Sequence, residues 1–326
     1  MDLVLSICDT YLLDSVWAKL VPLSAFSTYN TSSTLPPSAA SSWNEFISYL
    51  PHPKLSPEVL HDANRRVVSA WPRDYIPRQL ISLSMIVILG AFLVYFIFAT
   101  LSYFFIFNHD IKRHPRFLKN QVRLEIMSSL RALPVMSLMT VPFFEAEVLG
   151  YTRLYDKIET YGYLYFFASI LLFLLFTDYL IYWVHRSLHI PFLYKHLHKA
   201  HHRWIVPTPF AAHAFHPVDG WAQSLPYHFF VFIFPMHRLL YLGLFWFVTC
   251  WTILIHDSDL ITGHPLENII NGPAHHTLHH IYFTVNYGQY FTWADRMGNS
   301  YRHPEPKLDP LLEVKKANGD EKLKQQ

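Results

Sequence analysis

The sequence predicts an all-α integral membrane protein, a helical bundle that carries a histidine-rich cap. Charged residues make up only 15% of the 326 residues, against about 25% in a typical soluble domain, while hydrophobic residues reach 52%. Sixteen of the 21 histidines fall between His185 and His280. The net charge of +2 lacks the basic excess of a nucleic-acid-binding protein, and two cysteines exclude a disulfide framework or a cysteine-rich metal site.

Uncharged apolar segments predict the membrane spans. Residues 79–107 carry no charge and exceed the roughly 20 apolar residues needed to cross a bilayer. A second span is expected over 126–144, although it contains one arginine and two prolines, and a third over 164–184, where Asp178 is the only charge. The apolar region 218–256 is interrupted near residues 235–238, which predicts two helices folded as a hairpin.

These spans predict three parts of the chain. Residues 1–78 are expected to form an N-terminal arm and an amphipathic segment, with a mobile Ser/Thr/Pro-rich stretch over 24–42. The first 20 residues do not resemble a secretory signal, because three aspartates replace the basic start. Residues 79–302 are expected to form the membrane domain, and 303–326 a polar tail.

Basic residues predict the orientation. They follow the first span and the third span, which places both following segments, the histidines and the C-terminus in the cytosol: Lys112, Arg113, Arg116, Lys119 and Arg123, then Arg186, Lys195, Lys199 and Arg203. The N-terminal arm would then lie on the opposite side, where Asn30 starts a glycosylation sequon. Four arginines ahead of the first span, at 65, 66, 73 and 78, favour the reverse, so the side of the N-terminus stays open.

Three histidine clusters are spaced for metal binding. His185 and His189 are four residues apart, and two H-x-x-H-H clusters follow, over 198–202 and 276–280. On a helix, positions i, i+3 and i+4 share a face, so each cluster is expected to present its imidazoles together. A single H-x-x-x-H pair is weak evidence, but three clusters in one window, at the expected cytosolic edge, predict a metal centre.

The ligand count predicts two metal ions. Eight imidazoles in the clusters, with His256 as a ninth, exceed what one four- to six-coordinate ion uses. Imidazole suits zinc, copper, iron and nickel alike, so the residues alone do not choose the metal. The predicted ligands are His185, His189, His198, His201, His202, His256, His276, His279 and His280. Further ligands, or groups that orient the imidazoles, are expected among His213, His216, His264, His275, Asp178 and Asp219.

Asp178 has two interpretations. It lies on one helical stripe with His185 and His189, so it faces the same interior but deeper in the membrane. Alternatively it is a buried acid bonded to a neighbouring helix.

These segments resemble the integral-membrane fatty acid hydroxylase/sterol desaturase superfamily. Over residues 178–302 the chain is similar, more specifically, to the delta(7)-sterol 5(6)-desaturases, also called lathosterol oxidases. The resemblance is carried by His185-Arg-Ser-Leu-His189, His198-Lys-Ala-His201-His202, the segment 207–220, His275-His-Thr-Leu-His-His280 and Asn286-Tyr-Gly-Gln-Tyr290. One departure is at 292–296, where the family reads T-x-W-D-R and this chain has Thr-Trp-Ala-Asp-Arg.

The resemblance implies a nonheme di-iron centre that uses dioxygen and electrons from NADH or NADPH, delivered by cytochrome b5 and its reductase. The product would carry a double bond between sterol carbons 5 and 6, in ergosterol-type biosynthesis. The sequence has no H-P-G-G motif of a fused cytochrome b5, so a separate donor is expected, docking on basic residues around 186–203 unless these only reflect membrane orientation. Lys322 and Lys324 resemble a dilysine signal, which implies the endoplasmic reticulum.

Other functions remain open at this point. The same irons serve sterol 4-methyl oxidases and lipid hydroxylases, because the outcome depends on which C–H bond the pocket presents. A metal transporter would carry ionisable residues through the depth of several spans, which the first span lacks. The aromatic residues over 229–234 and 239–251 are expected either to line a sterol pocket or to face lipid.

Overall fold

The computed structural model describes residues 1–27, 43, 46–47, 49–53, 68–258, 260 and 262–324. The Asn30 sequon, Arg65, Arg66 and most of the stretch 24–42 lie outside these residues. The described chain is mainly helical, and it divides into two compact units: residues 1–87 with 141–149, and residues 88–140 with 150–326.

In the first unit, two short helices pack against the start of a long one. Helices α1 (Asp2–Cys8) and α2 (Asp14–Leu20) are joined by a π-helical turn, and α3 (Ile76–Phe105) begins in this unit. The Arg78 guanidinium is buried and bonds Asp9 at 2.8 Å and Asp14 at 2.5 Å. The charge of Arg78 is therefore paired inside the protein.

Among the residues that the structure describes, three helices are long and apolar enough to cross a membrane, as predicted. They are α3, α4 (Gln121–Val148) and α5 (Gly162–Leu188), of 30, 28 and 27 residues. At about 1.5 Å per residue each exceeds the roughly 30 Å thickness of the hydrocarbon core. The fourth apolar region forms two helices, α6 (Pro217–Ile233) and α7 (Arg238–Leu254), which confirms the predicted break.

In the second unit, α5 packs along α6. Phe173 and Ile181 of α5 lie in one buried cluster with Tyr227 and Phe230 of α6. At the end of α5 that lies opposite its histidines, a short parallel pair joins β1 (Leu154–Tyr155) to β2 (Met236–His237). Of the aromatic stretches expected to line a pocket or face lipid, Phe230 is fully buried in this cluster, whereas Phe229, Trp246 and Phe247 are 41%, 52% and 42% exposed. This distribution favours packing and lipid contact.

The segments beyond α7 complete the histidine-rich end. Helix α8 (Pro273–Tyr282) starts with proline, whose fixed φ suits a first helical turn, and ends at Phe283 in the left-handed region, φ 65°. Helix α9 (Trp293–Met297) follows. Helix α10 (Pro310–Lys324) lies in the segment expected to be a polar tail, and its Glu313 bonds Arg116 at 2.9 Å and His114 at 3.1 Å.

Candidate metal centre

The nine predicted ligands lie together in two groups of imidazoles. The first histidine group is His185, His189, His198, His202 and His279, and the second is His201, His256, His276 and His280. Within each group, one ring nitrogen per residue lies within 4.8 Å of all the others. All nine rings are buried except His189, which is half-buried at the end of α5.

The two groups do not follow the three sequence clusters. His198 and His202 belong to the first group and His201 to the second, while His276 and His280 belong to the second and His279 to the first. Each H-x-x-H-H cluster does present its imidazoles together, since the rings of His276, His279 and His280 lie 4.7–5.9 Å apart, but its members are divided between the two groups. A π-helical turn, Tyr194–His198, ends at the second cluster, so the residues after it leave the helix. On α8 only the i, i+4 pair shares a group.

Nitrogen–nitrogen distances fit ligands of a shared ion. In the first group, Nε2 of His185 lies 3.2 Å from Nε2 of His198, and His189 and His202 are equally close. In the second group the corresponding distances are 3.0, 3.1 and 3.4 Å: His276 to His256, His280 to His276, and His256 to His201. Two nitrogens about 2.1 Å from one ion would be about 3.0 Å apart at a right angle and about 3.4 Å apart in a tetrahedron.

Hydrogen bonds fix the tautomer of four rings. Each Nδ1 faces an oxygen, and a carbonyl oxygen only accepts, so Nδ1 carries the proton and Nε2 keeps its lone pair. The Nδ1 groups donate as follows: His185 to the Tyr287 carbonyl at 3.0 Å, His279 to Val285 at 2.7 Å, His256 to Thr252 at 2.6 Å, and His198 to the Asp219 carboxylate at 2.7 Å. Such outer partners orient a metal-binding imidazole and raise its basicity.

Burial keeps these imidazoles neutral. It lowers the pKa of His256 from its ordinary 6.5 to about 4. Burial, and then the neighbouring His198, lower the pKa of His189 to about 3. For five further rings, burial and then the adjacent histidines hold the pKa well below 6.5: His201, His202, His276, His279 and His280. At neutral pH the rings are therefore in the form that binds a metal ion.

One buried ring nitrogen without a hydrogen-bond partner supports the fit of a metal ion to this donor set. Nε2 of His279 is buried and has no hydrogen-bond partner among the described residues, while its Nδ1 is committed to Val285. An unpaired buried polar group costs about 1–3 kcal/mol. A metal ion in the first group would satisfy this lone pair, and no protein donor in the described chain does so.

The two aspartates have different places. Asp219, on the first turn of α6, holds the ring of His198 and accepts a second bond from Gln223 at 2.8 Å. Asp178 belongs to neither group. Its Oδ1 accepts the backbone N–H groups of Gln289, Tyr290 and Phe291. It is thus a buried acid, bonded to a loop instead of a neighbouring helix.

Four further predicted histidines lie outside both groups. His216 and His264 cap helices, since their Nδ1 atoms accept the N–H of Val218 at 3.3 Å and of Leu266 at 3.2 Å. His213 packs edge-on against Tyr95 and near Phe215, and His275 against Tyr301. Burial lowers the pKa of both His213 and His275 to about 4.

Sequence reasoning missed the loop that follows α8. Val285 and Tyr287 supply the carbonyls for His279 and His185, and the Tyr287 ring packs against three first-group rings, at 5.0 Å from His189, 5.4 Å from His279 and 5.6 Å from His185. A backbone carbonyl is common to every residue type, so only the Asn286-Tyr-Gly-Gln-Tyr290 motif pointed to this segment.

Comparison with known proteins gives consistent matches. The fatty acid hydroxylase family model matches residues 170–300, which contain both histidine groups. The chain is 50% identical over 315 residues to a delta(7)-sterol 5(6)-desaturase of Gibberella zeae, covering 96% of this chain and 93% of that protein. It is 49% identical over 314 residues to an Aspergillus fumigatus delta(7)-sterol 5(6)-desaturase, covering 94% and 88%.

A mammalian protein is equally similar over a shorter length. The chain is 53% identical over 238 residues to the lathosterol oxidase of Rattus norvegicus, covering 72% of this chain and 80% of that protein. No solved structure matches. The resemblance drawn from the histidine segments is confirmed: the chain belongs to the delta(7)-sterol 5(6)-desaturase family.

Proposed function

We propose that this protein is a membrane-bound sterol desaturase, an oxidoreductase that uses dioxygen to introduce the carbon 5–6 double bond into delta(7)-sterols during sterol biosynthesis of the ergosterol type. The observation that carries the proposal is the pair of histidine groups at one end of a bundle with three membrane-capable helices. The names of the relatives, delta(7)-sterol 5(6)-desaturase and lathosterol oxidase, supply the sterol and the reaction.

We propose iron as the metal, with one ion in each histidine group. Desaturation removes two hydrogens from adjacent ring carbons, and dioxygen with two electrons and two protons leaves as water. Bound iron supplies the redox chemistry for this oxidation, which zinc, having no redox activity, does not. Within the described part of the chain, the first histidine group offers five imidazoles and the second four, with no carboxylate in either.

The residues of this chain have separate tasks in the proposed reaction. The nine imidazoles hold the ions, and the Nδ1 bonds to Asp219 and to three backbone carbonyls aim four of the rings. The aromatic rings of Tyr287 and Phe283 pack against the first histidine group and keep water from it. We propose residues 79–302 as the domain that carries out this reaction.

We propose that electrons come from NADH or NADPH through a separate cytochrome b5 and its reductase. Of the basic residues considered for docking such a donor, Arg186 is already engaged, since its guanidinium bonds the Tyr182 hydroxyl and the Gly298 carbonyl. Lys195, Lys199 and Arg203 are exposed beside the second cluster. The docking surface is therefore proposed around these three.

We propose the endoplasmic reticulum membrane as the location, with the histidine groups and the C-terminus in the cytosol. The basic residues after α3 and α5 support this orientation. Two of the four opposing arginines, Arg73 and Arg78, form ion pairs with Asp14 and Asp9, which reduces their weight against it. The final dilysine-like residues are only partly within the described chain.

The test is the sterol profile of a strain that lacks its own sterol 5-desaturase, measured by gas chromatography–mass spectrometry. Expression of this protein should restore 5,7-diene sterols, His279→Ala should abolish them, and His196→Ala, which changes an exposed histidine outside both groups, should not. Membrane-inserted protein without 5,7-dienes would refute the proposal. Hydroxylated sterols or altered 4-methyl sterols would then assign the chain to the related oxidations.

A further inference from the structure

Five consecutive backbone N–H groups are donated to two buried carboxylates. Asp295 accepts from Tyr287 at 2.9 Å and from Gly288 at 2.8 Å. Asp178 accepts from the next three residues, at 3.0, 2.7 and 3.3 Å. Asp178 is 0% exposed and Asp295 is 1% exposed, so protein groups and not solvent hold both carboxylates in place. We call residues 287–291 the clamped segment.

The arrangement needs both carboxylates. A buried loop has no ladder for its N–H groups, and each unpaired group would destabilise the fold. Successive N–H groups that converge on one point form an anion-binding concavity, and here the anions are side chains of α5 and α9. Gly288 is required for the close approach, because a Cβ there would meet the Phe291 carbonyl at 2.6 Å and Asp295 Oδ2 at 3.0 Å.

The clamped segment contacts the first histidine group. The Tyr287 carbonyl accepts the Nδ1–H of His185 at 3.0 Å. Asp295 fixes the N–H of the same residue, and Ser300 in turn donates to Asp295 at 2.8 Å. The direction of the His185 ring is therefore set by a residue whose own backbone is held by a buried carboxylate.

The clamped segment also contacts the second histidine group, through one more residue. The Gln289 side chain donates to the Thr252 hydroxyl at 2.9 Å, and the Trp251 indole donates to the Gln289 carbonyl at 2.7 Å. The Thr252 carbonyl accepts the Nδ1–H of His256 at 2.6 Å. Asp178 accepts the N–H of Gln289 and so fixes the backbone of the residue that makes this contact.

We propose that Asp178 and Asp295 are positioning residues of the metal centre. Together they hold the clamped segment so that Tyr287 aims His185 of the first histidine group and Gln289 supports Thr252 and His256 of the second. Neither aspartate lies in either group, and both act through the loop. The inference rests on the proposed function, since it assumes that the two groups bind metal.

The experiment uses full-length protein purified in detergent and loaded with iron. Asp178→Asn, Asp178→Ala, Asp295→Asn and Asp295→Ala are compared with Asp156→Asn, a control at an exposed aspartate that pairs with Arg238. Bound iron per chain, the rate of iron loss to a chelator and the unfolding temperature are measured. Loss of an outer partner typically weakens metal binding about 10- to 100-fold, so both alanine variants should release iron faster by that factor.

The asparagine variants separate positioning from folding. An amide oxygen still accepts N–H groups, so these variants should fold and should retain iron better than the alanine variants. Gln289→Ala, which leaves both carboxylates in place, should accelerate the loss of only one of two ions. Mössbauer spectra should show a changed iron environment in the aspartate variants that fold.

Three results would contradict different parts of the argument. Wild-type protein that binds no iron would overturn the proposed function itself. Wild-type protein that binds iron, with all aspartate variants and Gln289→Ala releasing it at the wild-type rate and with unchanged spectra, would overturn the positioning role alone. A lowered unfolding temperature with wild-type iron release would likewise assign the aspartates to stability only.

Discussion

Two histidines that are adjacent in sequence should control different metal ions. His201 belongs to the second histidine group, with Nε2 3.4 Å from that of His256, and His202 to the first, with Nε2 3.2 Å from that of His189. Replacing His201 by alanine should lower bound iron from two ions towards one per chain, whereas His202→Ala should only weaken the binding of the ion in its group. His201→Ala leaves three imidazoles in its group and His202→Ala leaves four, so the loss should be more complete for His201→Ala.

Double variants give the decisive comparison. His198→Ala with His202→Ala removes two ligands from one group, so one ion should remain bound. His201→Ala with His202→Ala removes one ligand from each group, so both ions should be weakened. Iron per chain is measured by mass spectrometry of purified protein, with His196→Ala as the control. A chelator should leave one ion bound at wild-type strength in the first double variant and none in the second, and an ion bound at wild-type strength in both would refute the division into two groups.

Three further changes test the fold and the site. Arg78→Ala leaves Asp9 buried without its partner and should lower the free energy of unfolding by about 3–5 kcal/mol, measured by denaturation in detergent. Burial lowers the pKa of His256 to about 4. Below pH 6.5 this imidazole therefore binds a proton in the unfolded state but stays neutral in the folded state. The contribution of His256 to the stability of the metal-free protein should thus be constant above pH 6.5 and be lost between pH 6.5 and 4, and an unfolding temperature that stays flat from pH 6.5 to 4 would contradict the assignment. Asp219→Ala removes the acceptor of the His198 Nδ1–H and should weaken iron binding about 10- to 100-fold in a chelator competition, whereas unchanged competition would exclude that role.

The membrane helices could be predicted because their signal is local. An uncharged run longer than a bilayer, as over 79–107, needs no partner to be recognised. Helix α10 has no such signal, because its sequence is mostly polar. Its packing depends on two apolar residues, Leu311 and Val314, and on Glu313 bonding to Arg116 almost 200 positions away. Such a contact depends on the tertiary fold.

The histidines that come together could be predicted, but their division into two groups could not. Residue type and spacing identify the imidazoles, whereas the group that each ring joins depends on its tertiary surroundings. Adjacent histidines join different groups both after the π-helical turn, as His201 and His202 do, and within the regular helix α8, as His279 and His280 do. The sequence also could not predict that the carbonyls of Val285 and Tyr287 bond the histidines, since every residue has a carbonyl.

The departure from the family pattern at residues 292–296 also depends on packing in the tertiary fold. Ala294 is 2% exposed and lies in one buried cluster with Tyr182 and Tyr287. Trp293 is half-buried and stacks on Tyr179 of α5, with ring centroids 5.4 Å apart. The next residue is Asp295, which keeps its bonds to the clamped segment. Because the carboxylate of Asp295 stays in register, moving the tryptophan changes which side chain packs on α5 and keeps the group that we propose to position the histidines.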